Sequence, residues 1–394
     1  MIRRFAVPVA ALAAVVASAA PAAAADAWDV PHSATITIHG HGHGHGRGLS
    51  QYGAAYAADQ GTGYRGIVKY YYPGTAWGTA AGTVRIFISK GDLDNVVKVR
   101  ARSGLVAAKV GTDRTWNLAK ARPRAKDWRI RPSGDRVSIL EYRQSGWHRL
   151  REVTGQVEFS ADGKPIELYR NDGTVAAYRG ALRSVPSSPG NRIAVNVLPM
   201  ESYLRGVVPA EMIASQFPQQ ALRAQAIAAR SYAAAKRATR KNKIYDLDDT
   251  PGYQAYLGYD GEYPTSTDAV RATARQILTY DGAPAFTEFT ASSGGWTTAG
   301  DAPYLTAMPD QWETAADPNQ DWTVHFADTE LEHAWSSVGD LTHVEIDGRD
   351  GNGDWGGRAG TVTLTGSAGT VTVSGARFAE RLGLRSPWLT LTVH

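Results

Sequence analysis

Between Val84 and Leu182 apolar and polar residues alternate in short runs, among them Val84-Arg85-Ile86-Phe87-Ile88, Val137-Ser138-Ile139-Leu140 and Val157-Glu158-Phe159, each broken by Gly, Asp or Ser. Alternation with a period of two predicts β-strands joined by tight turns. The pattern changes at Asn191. Pro199 to Leu204 predicts a short helix with Pro in its first turn and Glu201 close behind, and Pro218 to about Lys241 predicts a long one. The long helix sets Leu222, Ala226, Ala229 and Ala233 at helical spacing, a small-residue face that admits close neighbours. It gathers Lys236, Arg237, Arg240 and Lys241 at its C-terminal end, where the helix dipole favours cations. Loop and helix alternate to Tyr280, and strands return at Thr361 to Leu364 and Thr370 to Val373. Ahead of the β region lie an extended lead-in from Asp26 to Ile38, a Gly-His run from His39 to Gly48, and helices over Ala54 to Gln60 and Tyr64 to Tyr72. Pro186 to Gly190, made only of Pro, Ser and Gly, reads as a linker or exposed loop. The fold class is α+β, β-rich, with helices clustered in the middle.

The first residues add a destination. Arg3 and Arg4 precede an apolar stretch from Phe5 to Ala20 and a small-residue site at Ala23-Ala24-Ala25, so residues 1–25 read as an export signal cleaved before Asp26. A retained N-terminal anchor is the alternative. The expectation is a secreted, extracellular protein. Cysteine is absent, which excludes disulfides, thiolate nucleophiles and Cys-ligated zinc. The formal net charge is +4, and Arg3 and Arg4 carry two of those charges, so the mature chain keeps +2. That balance argues against a nucleic-acid partner.

Four groups of residues carry candidate chemistry. His39, His41, His43 and His45 would share one face if extended, but the intervening glycines and the lack of a fixed carboxylate argue for no metal. Glycine at every second position instead lets the backbone pack tightly against another part of the protein. Asp350, Asn352 and Asp354 open like a calcium loop, but Trp355 and Thr361 occupy the positions where that loop needs Gly and Glu, leaving a polar hairpin loop. Ser292-Ser293-Gly294-Gly295 lacks a nucleophile elbow and a suitably spaced His, and equally fits the lining of a polar groove. Glu211 follows Val207-Val208-Pro209 and is flanked by Ala210, Met212 and Ile213. An apolar setting disfavours the ionised carboxylate and suits a general acid, while a solvated helix-start glutamate remains the other reading.

The block Asn196-Val-Leu-Pro-Met-Glu201-Ser-Tyr203-Leu-Arg-Gly206-Val-Val-Pro-Ala-Glu211-Met212, followed by Gln225-Ala-Ile-Ala-Ala-Arg230-Ser-Tyr232-Ala, resembles the signature of the SpoIID/LytB family, the stage II sporulation protein D and amidase-enhancer group. Tyr178-Arg179-Gly180, Gln254-Ala-Tyr256-x-Gly258, Ser292 to Thr297, and Val373-Ser-Gly375 to Leu384-Arg-Ser386 follow in the family's order. The element Gly44 to Ala54, which usually closes such chains, here lies near the start, as in a circular permutation. Residues near Gly44 should then pack on the C-terminal strand. Zinc-binding relatives use cysteines near the Gln-x-Tyr motif, where this chain has Tyr253, so the resemblance implies no metal or other cofactor here.

The resemblance implies a SpoIID-like fold with an export signal (1–25), a permuted Gly/His-rich segment (26–80), a β-rich domain (81–188) and a catalytic core with C-terminal strands (189–394). It implies a lytic transglycosylase acting on peptidoglycan glycan strands, with Glu211 as the general acid/base. Such an enzyme needs one carboxyl where ordinary glycosidases need two, because the C6 hydroxyl of N-acetylmuramic acid attacks its own C1. Arg230 is expected to support the site, and Gln225, Tyr232, Ser292, Ser293, His45 and Gln51 to line the groove. Gln225 and Tyr232 are seven apart and share a helix face. The alternative is a non-catalytic, wall-binding amidase enhancer with a cell-wall amidase as partner. A sporulation role is a third possibility.

Overall fold

The computed structural model describes residues 25–91, 95–314 and 316–394. The export signal read over residues 1–25 lies outside them apart from Ala25, and no helix among the described residues is long and apolar enough to cross a membrane. The alternating runs form two large sheets. One orders its strands Trp147–Thr154, Val137–Arg143, Asp127–Ser133, Val97–Arg100, Ile166–Tyr169 and Val175–Tyr178. The other runs Leu247–Asp248, Thr83–Phe87, Asn191–Pro199, Ala181–Ser188, Val157–Ser160, Val106–Lys109 and Thr115–Asn117. The Pro-Ser-Gly segment, expected as a linker or an exposed loop, is the exposed tip of the hairpin that pairs Ala181–Ser188 with Asn191–Pro199. The chain there turns back on itself within one sheet.

The helices sit against the second sheet. Gln219–Thr239 is buried along most of its length, and its alanines allow Met200–Glu211, Gln51–Asp59, Tyr64–Tyr71 and Pro264–Ala272 to pack around it. The short helix predicted over Pro199 to Leu204 runs instead to Glu211, through Pro209. Proline removes one backbone donor, but so near the helix end the loss is small, and burial of Leu204, Val207 and Val208 carries the helix on. Gln51–Asp59 starts three residues before the predicted Ala54, because the Ser50 side chain caps it by accepting from the Gly53 N–H.

Thr35–His41 lies between Asp321–Ala327 and Leu389–Val393, antiparallel to both. Beyond it the Gly44 N–H donates to the Arg385 carbonyl at 2.8 Å, so the displaced element does meet the C-terminal part of the chain. Termini that pair in one sheet are the geometry a permutation requires. The histidines do not keep one face. The strand ends at His41, and Gly42, Gly44, Gly46 and Gly48 all take positive φ, between 67° and 98°, which coils the backbone. His39 bonds Thr323, His41 stacks on Trp355 at 4.4 Å, His43 is exposed, and His45 turns towards Arg47. The close packing expected of these glycines is present: a Cβ on Gly42 would lie 3.1 Å from the Gly294 nitrogen, and one on Gly48 2.0 Å from the Glu288 carbonyl oxygen. A second, smaller core lies under this strand and the four-stranded sheet Asp26–Asp29, Leu341–Asp347, Thr361–Gly366, Thr370–Ser374.

Candidate active site

Glu211 is the last residue of Met200–Glu211, at the helix end that least favours an anion. Its side chain is held by the loop that follows strand Leu247–Asp248. The Ala255 N–H donates to Glu211 Oε1 at 2.6 Å. Buried neighbours fix that loop. Tyr203 OH donates to Gln254 Oε1 at 3.2 Å, Gln254 Nε2 donates to the Ala229 carbonyl at 3.3 Å, and Tyr256 OH donates to Asn196 Oδ1 at 2.9 Å. Gly206 lets the loop approach, since a Cβ there would stand 2.6 Å from the Gly258 carbonyl oxygen. The motif residues Asn196, Tyr203, Gly206, Gln254, Tyr256 and Gly258 therefore act together to aim one amide at one carboxyl. Burial pushes the Glu211 carboxyl up to about 7, against the opposing pull of the Ala255 amide and the Gln51 side chain. A carboxyl near 7 holds its proton half the time at neutral pH, as a group that both gives and takes a proton must.

Glu211 lines a cavity of about 540 Å³. Gln51 and His45 from the Gly-His element and Tyr232 from the long helix share its wall, with Tyr253 and the segment Glu288–Ala291. The His45 Nδ1 accepts the Arg47 N–H at 3.0 Å, and burial together with the Arg47 and Arg358 guanidinium groups lowers its pKa to about 4. The ring is therefore neutral at neutral pH and carries its proton on Nε2. A second carboxylate, Glu288, faces the same cavity, but Arg47 Nε and Nη2 donate to its Oε2 and Oε1 at 3.0 and 2.9 Å. Both its oxygens are thus tied to the guanidinium.

Four residues expected at the groove, Glu211, Gln51, His45 and Tyr232, meet at the cavity. The others do not. Gln225 is on Tyr232's helix face but lies two turns away and is completely buried, with neither amide atom hydrogen-bonded. Arg230 is also completely buried. It donates to Glu201 Oε1 and Oε2 at 3.0 and 2.8 Å and to the carbonyls of Ala226, Val270 and Gln276, so it joins the helices together. Ser292 exchanges backbone hydrogen bonds with His43 at 3.0 and 3.1 Å. Ser293 Oγ donates to Asp310 Oδ2 at 2.9 Å, away from the cavity. The groove is lined a few positions earlier, by Glu288-Phe289-Thr290, and by Arg47 and Tyr253. The signal for these was their adjacency to the Ser-Ser-Gly-Gly, Gly-His and Gln-x-Tyr motifs. Among the described residues, no group of three or more His, Asp or Glu is arranged to hold a metal ion.

Behind Gln51 lies a second buried carboxyl, Glu313. Its Oε1 accepts from Ser50 Oγ, from the Ser293 N–H at 2.8 Å and from Ser293 Oγ at 3.1 Å. Burial and the neighbouring Asp317 and Asp310 push it up to about 8. Tyr71 OH donates to Asp310 at 2.9 Å and completes the cluster. Because Ser50 caps the helix that begins with Gln51, the cluster sets where Gln51 stands.

Residues 189–280 match the family model described as SpoIID, stage II sporulation protein. Stage II sporulation protein D of Bacillus amyloliquefaciens is 32% identical over 151 residues, 33% of this chain and 44% of the relative. The amidase enhancer of Bacillus subtilis is 35% identical over 135 residues, 33% of this chain and 17% of that longer protein. An uncharacterized protein of Brachyspira hyodysenteriae is 37% identical over 133 residues, 34% of this chain and 36% of the relative. The chain thus spans less than half the length of each. The matched segment supplies Glu211, the Ala255 amide and Tyr232, whereas Gln51, His45, Arg47 and Glu288 come from outside it. This segment, which carries Glu211, is thus similar to SpoIID, stage II sporulation protein, and to proteins named stage II sporulation protein D and amidase enhancer.

Proposed function

We propose that this protein is a peptidoglycan lytic transglycosylase, exported and associated with the cell wall, that cuts the bond between N-acetylmuramic acid and N-acetylglucosamine. The observation that carries the reading is Glu211, a carboxyl near pKa 7 on the wall of an open cavity of about 540 Å³ with a single backbone amide on Oε1. Glu211 gives its proton to the glycosidic oxygen as the C1–O bond breaks. The carboxylate then takes the proton of the C6 hydroxyl as that oxygen bonds to C1, which leaves a 1,6-anhydro end and a reprotonated Glu211. No water is consumed. A hydrolase would need a second carboxylate free to activate water or attack C1, and Glu288 has both oxygens engaged by Arg47. Mass spectrometry of digested glycan strands tests the reading. Anhydro-muramyl ends support it, and reducing ends would replace it with hydrolysis.

The similarity to a protein named amidase enhancer supports a second reading, a wall-binding partner of an amidase that uses the same groove and cuts nothing. Only the enzyme needs the carboxyl. Intact strands together with stimulation of an amidase, unchanged in Glu211→Gln, would favour the enhancer.

A further inference from the structure

The Glu211 cavity does not end at Glu211. The same residue belongs to the wall of a second hollow, about 330 Å³, formed by the turn Pro209–Ser215 with Gly261 and Tyr263. Tyr263 in turn lines a third hollow, about 500 Å³, with Arg179, Tyr259 and Glu262. The three share lining residues, Glu211 between the first two and Tyr263 between the last two.

This strip gathers large apolar side chains that face solvent. Ile213, Leu257, Tyr259 and Tyr263 are between 40% and 56% exposed. A contiguous set of this kind marks a binding surface more often than single exposed residues do. The Tyr259 ring and the Tyr263 backbone are also held in place. Arg179 lies over the Tyr259 ring at 4.7 Å and is itself paired with Glu262, Nη2 to Oε2 at 2.9 Å. The Tyr263 carbonyl accepts from the Thr267 N–H at 2.9 Å and from Ser266 Oγ at 3.0 Å, at the start of helix Pro264–Ala272. Leu257 packs on Gly261, where a Cβ would lie 2.4 Å from the Leu257 Cβ. Ordered aromatic faces edged by a guanidinium–carboxylate pair suit pyranose rings, whose C–H faces stack while their hydroxyls reach the polar rim.

We propose that the strip from Ile213 through Tyr263 to Tyr259 binds the continuation of the saccharide strand whose scissile bond lies at Glu211. This assignment rests on the wall-glycan reading above, and its occupant follows from continuity, because Glu211 is a wall of both the first and the second hollow.

The test uses the full chain in a Glu211→Gln background, so that strands are not consumed. Affinity for wall-glycan oligosaccharides of increasing length is measured by calorimetry. Affinity should rise past the length that fills the Glu211 cavity, and Tyr259→Ala with Tyr263→Ala should remove that rise, weakening long strands on the order of tenfold. An unchanged length dependence in the double variant overturns the assignment, as does a parent with no length dependence. If the double variant fails to fold, Tyr259→Ser and Ile213→Ser read the same quantity singly. Anhydro ends released by the wild-type protein without length-dependent affinity would remove the strip and keep the enzyme. Length-dependent affinity with no released ends would do the reverse, and no affinity at any length overturns both.

Discussion

Glu211 and Glu313 are two carboxyls that burial pushes up, one to about 7 and the other to about 8, yet they stand in unlike surroundings. Glu211 accepts one backbone amide and opens onto a cavity. Glu313 accepts from Ser50 and from two atoms of Ser293 on Oε1, while its buried Oε2 has no hydrogen-bond partner and the nearby Asp317 and Asp310 add to the burial that raises it. The comparison teaches that a raised pKa reports burial, while what the carboxyl meets decides its use. A proton on Glu211 faces the open cavity. One on Glu313 is held between neighbouring acids and keeps three chain segments together.

The sharpest way to break this contrast is to remove each carboxyl. Glu211→Gln should lower strand cleavage by about 10²–10⁴-fold, measured as anhydro-end release, with an unchanged circular dichroism spectrum. Glu313→Ala should act on stability first. It leaves buried Ser50 and Ser293 donors without an acceptor, at a cost of about 1–3 kcal/mol in denaturant unfolding, and a cleavage loss as large as that of Glu211→Gln at equal folded fraction would erase the distinction.

A milder change touches the support of Glu211. Gly206→Ala would place a methyl 2.6 Å from the Gly258 carbonyl oxygen and push the loop that carries the Ala255 amide. A destabilisation of about 1–3 kcal/mol is expected.

The pH dependences separate the two groups by sign and window. Both folded pKa values lie above the ordinary glutamate value of about 4.5, so the folded state keeps protons that the unfolded chain releases. Their stabilising contributions are complete below about 4.5 and are lost as pH rises, by about 7 for Glu211 and about 8 for Glu313. Glu313→Gln should remove the upper part of that decline in melting temperature, and Glu211→Gln the lower part. Cleavage itself should fall as pH rises through about 7, because the general acid loses its proton. The smallest effect belongs to Gln51→Ala. The Gln51 side chain stabilises the ionised form, so its loss should move the alkaline limb upward by roughly half a pH unit. A downward shift would show that Gln51 contacts the protonated form.

Much of this site was legible before any coordinates. Apolar neighbours marked Glu211, and the alanine-rich spacing of Gln219–Thr239 marked the helix against which its own helix packs. The displaced Gly-His element predicted its contact with the C-terminal strand; His39 and Gly40 pair with Thr390 and Leu389 of it, and Gly44 bonds Arg385 just ahead of it. The misses have a common cause. Helical spacing put Gln225 and Tyr232 on one face, but only the position along that face decides which of them reaches a cavity. Arg230 reads as a ligand-binding cation until its partner Glu201, on another helix, is seen. Ser292 and Ser293 carry hydroxyls, but pairing with His43 and the pull of Asp310 and Glu313 turn them inward.

Local periodicity by itself determined the mixed, β-rich architecture, because it is written in residues close together in the chain, whereas apolar neighbours only made Glu211 a candidate and the resemblance to the SpoIID/LytB family singled it out. The chain's closure in space decided the rest. Gln51 and Glu211, or Arg47 and Glu288, are far apart in sequence and meet only when the strand Thr35–His41 enters its sheet and carries the coiled glycines to the cavity wall. Burial, and with it each raised pKa, is a property of that assembled wall, since desolvation depends on every element that excludes water from it.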